Sequence, residues 1–435
     1  MKQELFEIDN KIKKAAEEAM KRVGEAFRRV DQTTEYCQQK MLKAFSKARV
    51  SESHFVSSTG YGYADRGRDA LDEVYAYAFG AEDALVRHHF VSGTHALTVA
   101  LFGVLRPGDT VLSVTGLPYD TIRGVFGIEG EKSGSLKEFG IEYKEVALKK
   151  DGTLDYDEIE KQVTDQINMV YLQRSRGYTF RPSLFVSEIE KVASIVKRKA
   201  PNCIVMVDNC YGEFVETVEP TACGADLMAG SLIKNPGGGI APTGGYIAGR
   251  KDLVEKCSYR LTTPGTGREI GATLGQNREL FLGAFHAPHA TGEALKTAIF
   301  AAALFELFGY KVTPKYCEAR ADIIEVIRMQ SEYSLIAFCQ GIQKGAPVDS
   351  FVTPEPWDMP GYDSKVIMAA GTFTLGASIE LSADAPLRKP YAVWMQGGIN
   401  FHSGKLGVML AAQSMLEKNC LFLSDPFSRQ NESVI

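Results

Sequence analysis

Residues 228–241 read MAGSLIKNPGGGIA. An apolar run typical of a buried strand leads into Lys234, and a proline and three consecutive glycines follow close behind. Because glycine has no side chain, such a stretch of backbone can approach another group closely. Lys234 is therefore either an ordinary solvated lysine or an amine held against a bound group, and the stretches on either side of it bear on that choice.

The composition is that of an ordinary globular protein. The chain has 435 residues, a formal net charge of −5, 45% apolar residues and 24% charged residues, which predicts two or three domains. The mild acidity and the short basic runs argue against a nucleic-acid or membrane partner. The first residues are charged and lack the apolar core of a signal peptide, and eight cysteines include no C-x-x-C pair. We therefore expect a cytoplasmic protein with reduced thiols.

From about residue 70 the chain alternates short β-rich runs with amphipathic helical stretches. This alternation favours βαβ units around a mostly parallel sheet, hence an α/β fold. The seven strand candidates are HHFVS, DTVLSV, IEYKEVAL, INMVYLQ, CIVMVDN, DLMAGS and GGYIAG.

The pattern changes at both ends of this region. Residues 1–48 show helical periodicity, and after about residue 290 a long helix leads into strand-like pieces such as DSFVTPE, SKVIMAAGTF and GASIEL. We predict an N-terminal helical arm (1–55), a large domain (56–290) and a small α+β domain (291–435), which the N-terminal segment is a candidate to complete. His286 and His289 flank Pro288, which disfavours a regular helix, so we interpret them as loop residues and predict no metal site.

Two features before Lys234 are typical of ligand contacts. In VSGTHALTVALFGVL (91–105), Ser92, Gly93 and Thr94 follow an apolar run and open a helix, where free N–H groups bind phosphate. They could equally be plain N-caps. Tyr119 follows strand candidate DTVLSV, at a position where an aromatic ring stacks on a flat cofactor or simply packs.

Two further features lie at the ends of the next strand candidates. Asp208 ends CIVMVDN, and a buried carboxylate there needs a partner such as a protonated pyridine nitrogen, although an N-cap or a metal ligand is an alternative. Lys234 follows DLMAGS, and a lysine buried near other cations loses its proton more easily and becomes a Schiff-base nucleophile. Ser231 precedes it by three residues and could face the same anion.

The order of these features is the decisive observation. A phosphate loop, an aromatic residue, an acid at a strand end and then a lysine meet the requirements of pyridoxal 5′-phosphate, bound as an aldimine to Lys234. The glycine run GGGIAPTGG lacks the full dinucleotide pattern, which argues against NAD.

With these residues the chain resembles the fold-type I pyridoxal-phosphate enzymes of the cystathionine/methionine lyase group. It is most similar to their methionine γ-lyase-like, "aluminium resistance" branch. The resemblance implies a large, mostly parallel seven-stranded sheet domain and a smaller C-terminal α+β domain. The stretches that carry it are GYGYADRGRDALDEVYA (60–76), VSGTHA (91–96), VYLQRSRGY (170–178), VDNCYGEF (207–214), AGSLIKNPGGGIAPTGGYIAG (229–249) and ASIELSADAPLRKPYAVWMQGG (377–398).

The resemblance also implies roles for individual residues. Gly93, Thr94 and Ser231 would hold the phosphate, and Tyr119 would stack on the ring. In the wider family a Tyr-x-Arg pair of the neighbouring subunit reaches the phosphate. The spacing differs here, so Tyr63 with Arg66 or Arg68 is the nearest match.

For the substrate carboxylate, the family implies an arginine in the small domain, and Arg388 is our candidate. Arg174 and Arg176 are rivals. Cys210, next to Asp208, either lies near the cofactor or packs.

The implied activity is cleavage of a carbon–sulfur bond in an amino acid by β- or γ-elimination, as in cystathionine β-lyase or methionine γ-lyase. Lys234 would remove the Cα proton, Tyr119 is a candidate proton donor to the leaving thiolate, and the products would be a 2-oxo acid and ammonia. The alternatives are γ-replacement, racemisation or retro-aldol cleavage with the same cofactor, or a non-catalytic metal-stress protein. A shared active site would require a homodimer or homotetramer.

Overall fold

The computed structural model describes residues 5–130, 133–358 and 364–422. In this part of the chain the α-helices are α1 (Asn10–Arg22), α2 (Gly24–Lys47), α3 (Arg66–Phe79), α4 (Gly93–Val104), α5 (Asp120–Phe126), α6 (Tyr156–Gln162), α7 (Val186–Lys199), α8 (Lys251–Leu261), α9 (Asn277–Phe308), α10 (Glu332–Lys344) and α11 (Phe401–Glu417). The strands are β1 (Asp83–Arg87), β2 (Thr110–Ser113), β3 (Glu142–Glu145), β4 (Met169–Gln173), β5 (Ile204–Asp208), β6 (Leu227–Ser231), β7 (Gly245–Gly249), β8 (Lys311–Thr313), β9 (Glu325–Arg328), β10 (Val366–Ala369), β11 (Ser382–Pro386) and β12 (Ala392–Gln396).

The chain divides into two compact units. The larger unit comprises residues 34–288, and the smaller comprises residues 1–33 together with 289–435. The N-terminal segment that we predicted as a separate arm (1–55) is thus divided between the two units. Its helical character agrees with the sequence pattern, since α1 and α2 occupy most of it.

The larger unit is built on a seven-stranded sheet, counted over the described residues. Its strand order is β1-β7-β6-β5-β4-β2-β3, in which β7 runs antiparallel to both of its neighbours and the other neighbouring pairs are parallel. The predicted mostly parallel seven-stranded sheet is therefore confirmed. Because β1 and β6 both oppose β7, all strands except β7 end at the same edge of the sheet.

Apolar side chains cover both faces of this sheet, which explains why its strands are largely apolar, apart from the exposed edge strand β3. Along β5, Met206 belongs to the core on one face, while Val205 and Val207 belong to the core on the other. The alternation follows from the two-residue period of a strand. Asp208 therefore lies on the same face as Met206, at the end where the strand leaves the core.

The smaller unit contains a five-stranded antiparallel sheet of order β10-β11-β12-β9-β8 in the described residues. Helices α10 and α11 pack against each other, and α10 covers β10 and β11. The predicted α+β character is present, but two of the proposed strands are misplaced. DSFVTPE and GASIEL form irregular backbone, whereas SADAPLRKPYAVWMQ forms the β11–β12 hairpin. Serine, alanine and proline in β11 are poor strand formers, which explains why the pattern was missed.

Two local predictions are wrong. HHFVS is not a strand: β1 ends at Arg87, and the following residues turn from the sheet edge towards the start of α4. His286 and His289 are not loop residues, because α9 continues through Pro288. A proline removes one helical hydrogen bond, and the 32-residue helix retains its bonds on either side.

Candidate active site

The carboxyl ends of β4, β5 and β6 bring three polar residues to one edge of the large sheet. Gln173 is directly paired with Asp208, and Asp208 with Ala229, two residues before Ser231. Gln173, Asp208 and Ser231 are all buried, with exposed fractions of 7% or less. Ligands of open α/β sheets bind at this edge, so the predicted strand-end residues lie where a site is expected.

The N-terminus of α4 lies against the same edge. Ser92 caps the helix, since its side chain accepts a hydrogen bond from the backbone N–H of His95 at 3.0 Å. A Cβ atom at Gly93 would lie 3.1 Å from Cβ of Ser231 and 3.5 Å from Sγ of Cys210. Gly93, Ser231 and Cys210 are thus neighbours, and a side chain at position 93 would crowd Ser231.

Tyr119 is attached to the sheet edge through Gln173. Its backbone N–H donates to Oε1 of Gln173 at 2.7 Å, and its ring centroid lies 5.8 Å from that of Tyr178. Thr94 reaches the same loop, because its hydroxyl lies 2.8 Å from that of Thr121 in α5. The two predicted loops therefore meet, and Gln173, which the sequence analysis did not single out, anchors one of them.

Asp208 is held by a local backbone bond. The N–H of Cys210 donates to its carboxylate at 3.1 Å. Burial raises the pKa of Asp208, and the positive charge of Lys234 opposes this effect. Asp208 ends β5, and Lys234 follows the neighbouring strand β6 by three residues.

Lys234 follows β6, and its Nζ lies 4.2 Å from the centroid of the Tyr211 ring. We expected neighbouring cations to lower its pKa, and this expectation is wrong. Burial alone would lower the pKa of Lys234, but the acidic groups around it raise the pKa above its usual range. The groups that raise it are Cys210, Tyr211, Asp208 and Glu213.

Glu213 is a buried acid that the sequence analysis missed. Its side chain is fully buried, Tyr246 Oη donates to its Oε1 at 2.7 Å, and burial raises its pKa to about 8. A charged residue after a strand is normally solvated. The one signal in the sequence was its apolar surroundings in VDNCYGEF.

Arg174 is enclosed in a network within its own chain. Its side chain is fully buried and forms ion pairs with Glu216 at 2.7 Å and Glu219 at 3.3 Å. It also donates to Oδ1 of Asn209 and to the carbonyl of Gly212, both at 2.9 Å. These contacts occupy the guanidinium group and favour a structural role over the substrate contact we predicted. Its rival Arg176 is also buried.

Tyr63, Arg66 and Arg68, the residues predicted to reach the site of a neighbouring subunit, differ in exposure. Tyr63 is 64% exposed and stacks on Tyr61, which is 70% exposed. Arg66 is exposed, whereas Arg68 is buried and donates to the carbonyl of Gly62 at 2.8 Å. Of the two arginines, Arg66 is the one available to another chain.

Arg388 belongs to the smaller unit. It lies in the turn between β11 and β12, and its side chain is exposed. Its role as a carboxylate clamp stays a prediction.

Within the described residues, no helix is both long and apolar enough to cross a bilayer. Over those same residues, the side chains that commonly bind metals do not gather in groups of three or more.

The helix start at Gly93 and the acids around Lys234 fit the predicted cofactor. A phosphate group needs N–H donors and close backbone approach, a pyridine nitrogen needs an acid, and an aldehyde needs an amine. Gly93 with Ser231, Asp208, and Lys234 supply these three requirements at one edge of one sheet.

Comparisons with known proteins agree with this geometry. The family model for methionine gamma-lyase matches residues 12–416. The Bacillus subtilis protein YnbB is 48% identical over 411 residues, which cover 94% of this chain and 98% of YnbB.

Solved structures are similar over nearly the whole chain. A carbon-sulfur lyase involved in aluminium resistance from Clostridium novyi is 53% identical, with a TM-score of 0.90 over 94% of this chain and 96% of that chain. A Listeria monocytogenes protein, described as a candidate cystathionine beta-lyase involved in aluminium resistance, is 47% identical, with a TM-score of 0.91 over 92% and 99%. The predicted fold class is confirmed.

Proposed function

Because the chain belongs to the methionine gamma-lyase family, we propose that it is a carbon–sulfur lyase that acts on a sulfur-containing amino acid. The cofactor of this family is pyridoxal 5′-phosphate, as the sequence predicts. The proposed reaction is β- or γ-elimination that yields a 2-oxo acid and ammonia.

One observation carries the proposal. Lys234 lies among Asp208, Cys210 and Tyr211, while Cys210 and Ser231 adjoin Gly93 at the start of α4. An amine, an acid and a phosphate-binding helix end thus occur together, and the family match supports their use for this cofactor.

When bound, pyridoxal phosphate supplies an aldehyde that bonds an amine and a ring that accepts an electron pair from the substrate Cα. In the proposed site the amides of Gly93 and Thr94 and the hydroxyl of Ser231 hold the phosphate. Asp208 keeps a proton on the ring nitrogen, and Tyr119 packs against the ring.

The remaining roles concern the substrate. Lys234, once its amine is free, removes the proton from Cα of the amino acid. Tyr119 is the candidate donor of a proton to the departing sulfur atom. Arg388 pairs with the substrate carboxylate, which a guanidinium binds through two parallel hydrogen bonds.

We also propose that the active unit is a homodimer or homotetramer with shared sites. The exposed Tyr61 and Tyr63 support this, because two large aromatic side chains in solvent are typical of a contact surface. Sedimentation should show an oligomer, and a fully active monomer would contradict the proposal.

The function is tested by incubating the purified, cofactor-loaded protein with a panel of sulfur-containing amino acids and assaying 2-oxo acid. We expect turnover of at least one of them. The Lys234→Ala variant should lose turnover by about a thousand-fold or more, since it lacks both the attachment point and the base. No turnover with any member of the panel, or equal turnover by the variant, would contradict the proposal.

A further inference from the structure

Tyr211 carries an aromatic ring that contacts the amine of Lys234 and has no role in the chemistry described above. Nζ of Lys234 lies 4.2 Å from the centroid of this ring, and Tyr211 itself is buried, with 8% of its surface exposed. A cation within about 6 Å of an aromatic face is attracted by the electron-rich surface of the ring, more strongly where water is excluded. The distance therefore lies in the range of a cation–π contact.

The backbone of Tyr211 has an unusual conformation. Its φ is 69°, in the left-handed region, which glycine adopts freely and a bulky residue rarely does. Such a conformation costs free energy and persists where the surrounding contacts impose it, most often at functional sites. Phe214, three residues further on, has a φ of 61°. The segment after β5 thus holds two aromatic side chains in directions that an extended or helical backbone would not give them.

Contacts on both sides of Tyr211 impose this conformation. Nη1 of the buried Arg174 donates to Oδ1 of Asn209 and to the carbonyl of Gly212, both at 2.9 Å. A Cβ atom at Gly212 would collide with the side chain of Arg174, so the backbone lies directly against it. Arg174 therefore fixes the chain immediately before and after the ring.

The same segment is joined to the strand and the loop that carry the lysine. The N–H of Asn209 donates to the carbonyl of Ala229 in β6 at 3.1 Å, and Nδ2 of Asn235 donates to the carbonyl of Glu213 at 3.0 Å. These bonds lie on either side of the ring in one segment and on either side of the lysine in the other. The backbone therefore brings the ring and the amine together.

We propose that Tyr211 is a positioning residue for Lys234: its ring holds the free amine by a cation–π contact and favours the protonated form. In the proposed function Lys234 takes a proton from Cα of the substrate, and its amine is then an ammonium group. An aromatic face stabilises an ammonium group and, unlike a carboxylate, does not accept its proton. This role of Tyr211 rests on the proposed role of Lys234 and adds the group that holds its amine.

The contact is tested in the cofactor-free full chain by labelling the amine of Lys234, which is half-buried. The protein is treated with a limiting amount of acetic anhydride at a series of pH values below the usual pKa of lysine. Mass spectrometry compares the acetylation of Lys234 with that of the exposed Lys389 in the same sample. Only the neutral amine reacts, so a ring that favours the ammonium form slows the labelling.

Two variants differ in whether the ring is kept: Tyr211→Phe retains it, and Tyr211→Leu retains only an apolar side chain. We expect labelling of Lys234 to change by less than about two-fold in Tyr211→Phe and to rise by about ten-fold in Tyr211→Leu, equivalent to a pKa lower by about one unit. The other groups that influence the charge of Lys234 are the same in both variants, namely Cys210, Asp208 and Glu213. Equal labelling of the two variants would overturn the inference.

Phe214→Leu is the matched control. Phe214 has the same left-handed backbone in the same segment, but its ring packs against Phe79 in the apolar core, with centroids 5.6 Å apart. The variant removes an aromatic ring from the segment and keeps Tyr211, so labelling of Lys234 should stay at the wild-type level. A rise equal to that of Tyr211→Leu would mean that loosening the segment is enough to expose the amine, and would overturn the inference.

Fluorinated side chains separate the charge distribution of the ring from its shape, and they serve equally if Tyr211→Leu does not fold. Phenylalanine with one, two or three fluorine atoms is incorporated at position 211 of the full chain. Fluorine withdraws electron density from the ring face and weakens the cation–π contact, while the size of the ring hardly changes. Labelling of Lys234 should rise stepwise with the number of fluorine atoms, by about ten-fold over the series. Labelling that does not depend on fluorine would overturn the inference, because a rise in Tyr211→Leu would then reflect easier access to the amine.

Loading with pyridoxal phosphate separates this role of Tyr211 from the proposed function. A wild-type protein that takes up no cofactor would refute the proposed function, and the labelling series would still test the contact because it uses no cofactor. A loaded protein that turns over substrate, together with labelling that ignores the fluorine series, would keep the proposed function and remove the role of Tyr211.

Discussion

The last residue of β5 and the segment that follows it supply two pairs of acids, whose surroundings differ. Glu216 and Glu219 are neutralised by Arg174, which is fully buried and also bonded to Asn209. Asp208 and Glu213 both raise the pKa of Lys234, and burial raises the pKa of both acids.

The difference lies in how completely each cation is enclosed. The guanidinium group of Arg174 has acceptors of its own chain on all three nitrogens, so most of its donors are already used within the fold. Lys234 has acidic neighbours and an aromatic ring at 4.2 Å, and its amine can change its bonding. Buried charge that is fully paired belongs to the architecture, while buried acids left partly uncompensated indicate chemistry.

The largest expected effect comes from removing Arg174, the cation paired with Glu216 and Glu219. Arg174→Met leaves the buried Glu219 without its cation and should cost about 3–5 kcal/mol in the free energy of unfolding. Chemical denaturation measures the loss, and Arg388→Met is the control, expected to change stability by about 0.5 kcal/mol or less because it is exposed. A stable Arg174→Met protein with a raised KM would return Arg174 to the substrate role predicted from sequence.

The next effect concerns how the stability of the fold depends on pH through the ionisation of Glu213. The pKa of Glu213 is raised from 4.5 to about 8 by burial, so the fold favours its protonated form. Its contribution to stability is present in full below pH 4.5 and is lost as the pH rises through about 8, a change on the order of a few kcal/mol.

Glu213→Gln should remove this pH dependence. In the cofactor-free protein, the variant should gain stability over the wild type between about pH 5 and about pH 9, as urea denaturation would show. The control variant Glu190→Gln, at an exposed position of α7, should show no such gain in stability. A constant difference between wild type and Glu213→Gln across that range would mean that Glu213 ionises normally in the fold.

A smaller effect is expected at Arg388, outside both buried regions. Arg388→Ala should raise the KM for the amino acid by about ten- to a hundred-fold, the value of a charge-assisted hydrogen bond, without changing stability. Steady-state kinetics measures it, with the adjacent exposed Lys389→Ala as control. Equal KM values for the two variants would remove Arg388 from the site.

The smallest effect sharpens the distinction between site and scaffold. Gly93→Ala places a methyl group 3.1 Å from Cβ of Ser231 and should weaken cofactor binding by about ten-fold, or about 1.4 kcal/mol. Stability should change little, because alanine favours the helix. Gly124→Ala in α5 has no atom within 4 Å of the new Cβ and should leave binding unchanged. Fluorescence titration with the cofactor compares them, and equal affinities would argue against phosphate binding at Gly93.

The sequence predicted the sheet and the residues at its edge because strand ends are local features. Asp208 and Ser231 each end an apolar strand, and parallel strands bring such ends together whatever lies between them. The start of α4 was predictable for the same reason, from Ser92 and Gly93.

What the sequence could not predict depends on long-range contacts. Arg174 looked available because nothing in LQRSRGY shows that Glu216 and Glu219 return to it. Glu213 was not among the predicted site residues, because its burial depends on Tyr246, in β7, and on the missing side chain of Gly230. The expected pKa of Lys234 had the wrong direction because the groups that affect it are acids from the end of β5 and the segment after it.

In the proposed site the cofactor is attached to Lys234. Borohydride reduction is the most direct test of this attachment. Reducing the loaded protein fixes the cofactor to its lysine, and mass spectrometry of a digest then locates it. We expect a pyridoxyl group on the peptide that contains Lys234 and its absence from Lys234→Ala. A pyridoxyl group on another lysine, or none on any peptide of a loaded protein, would contradict it.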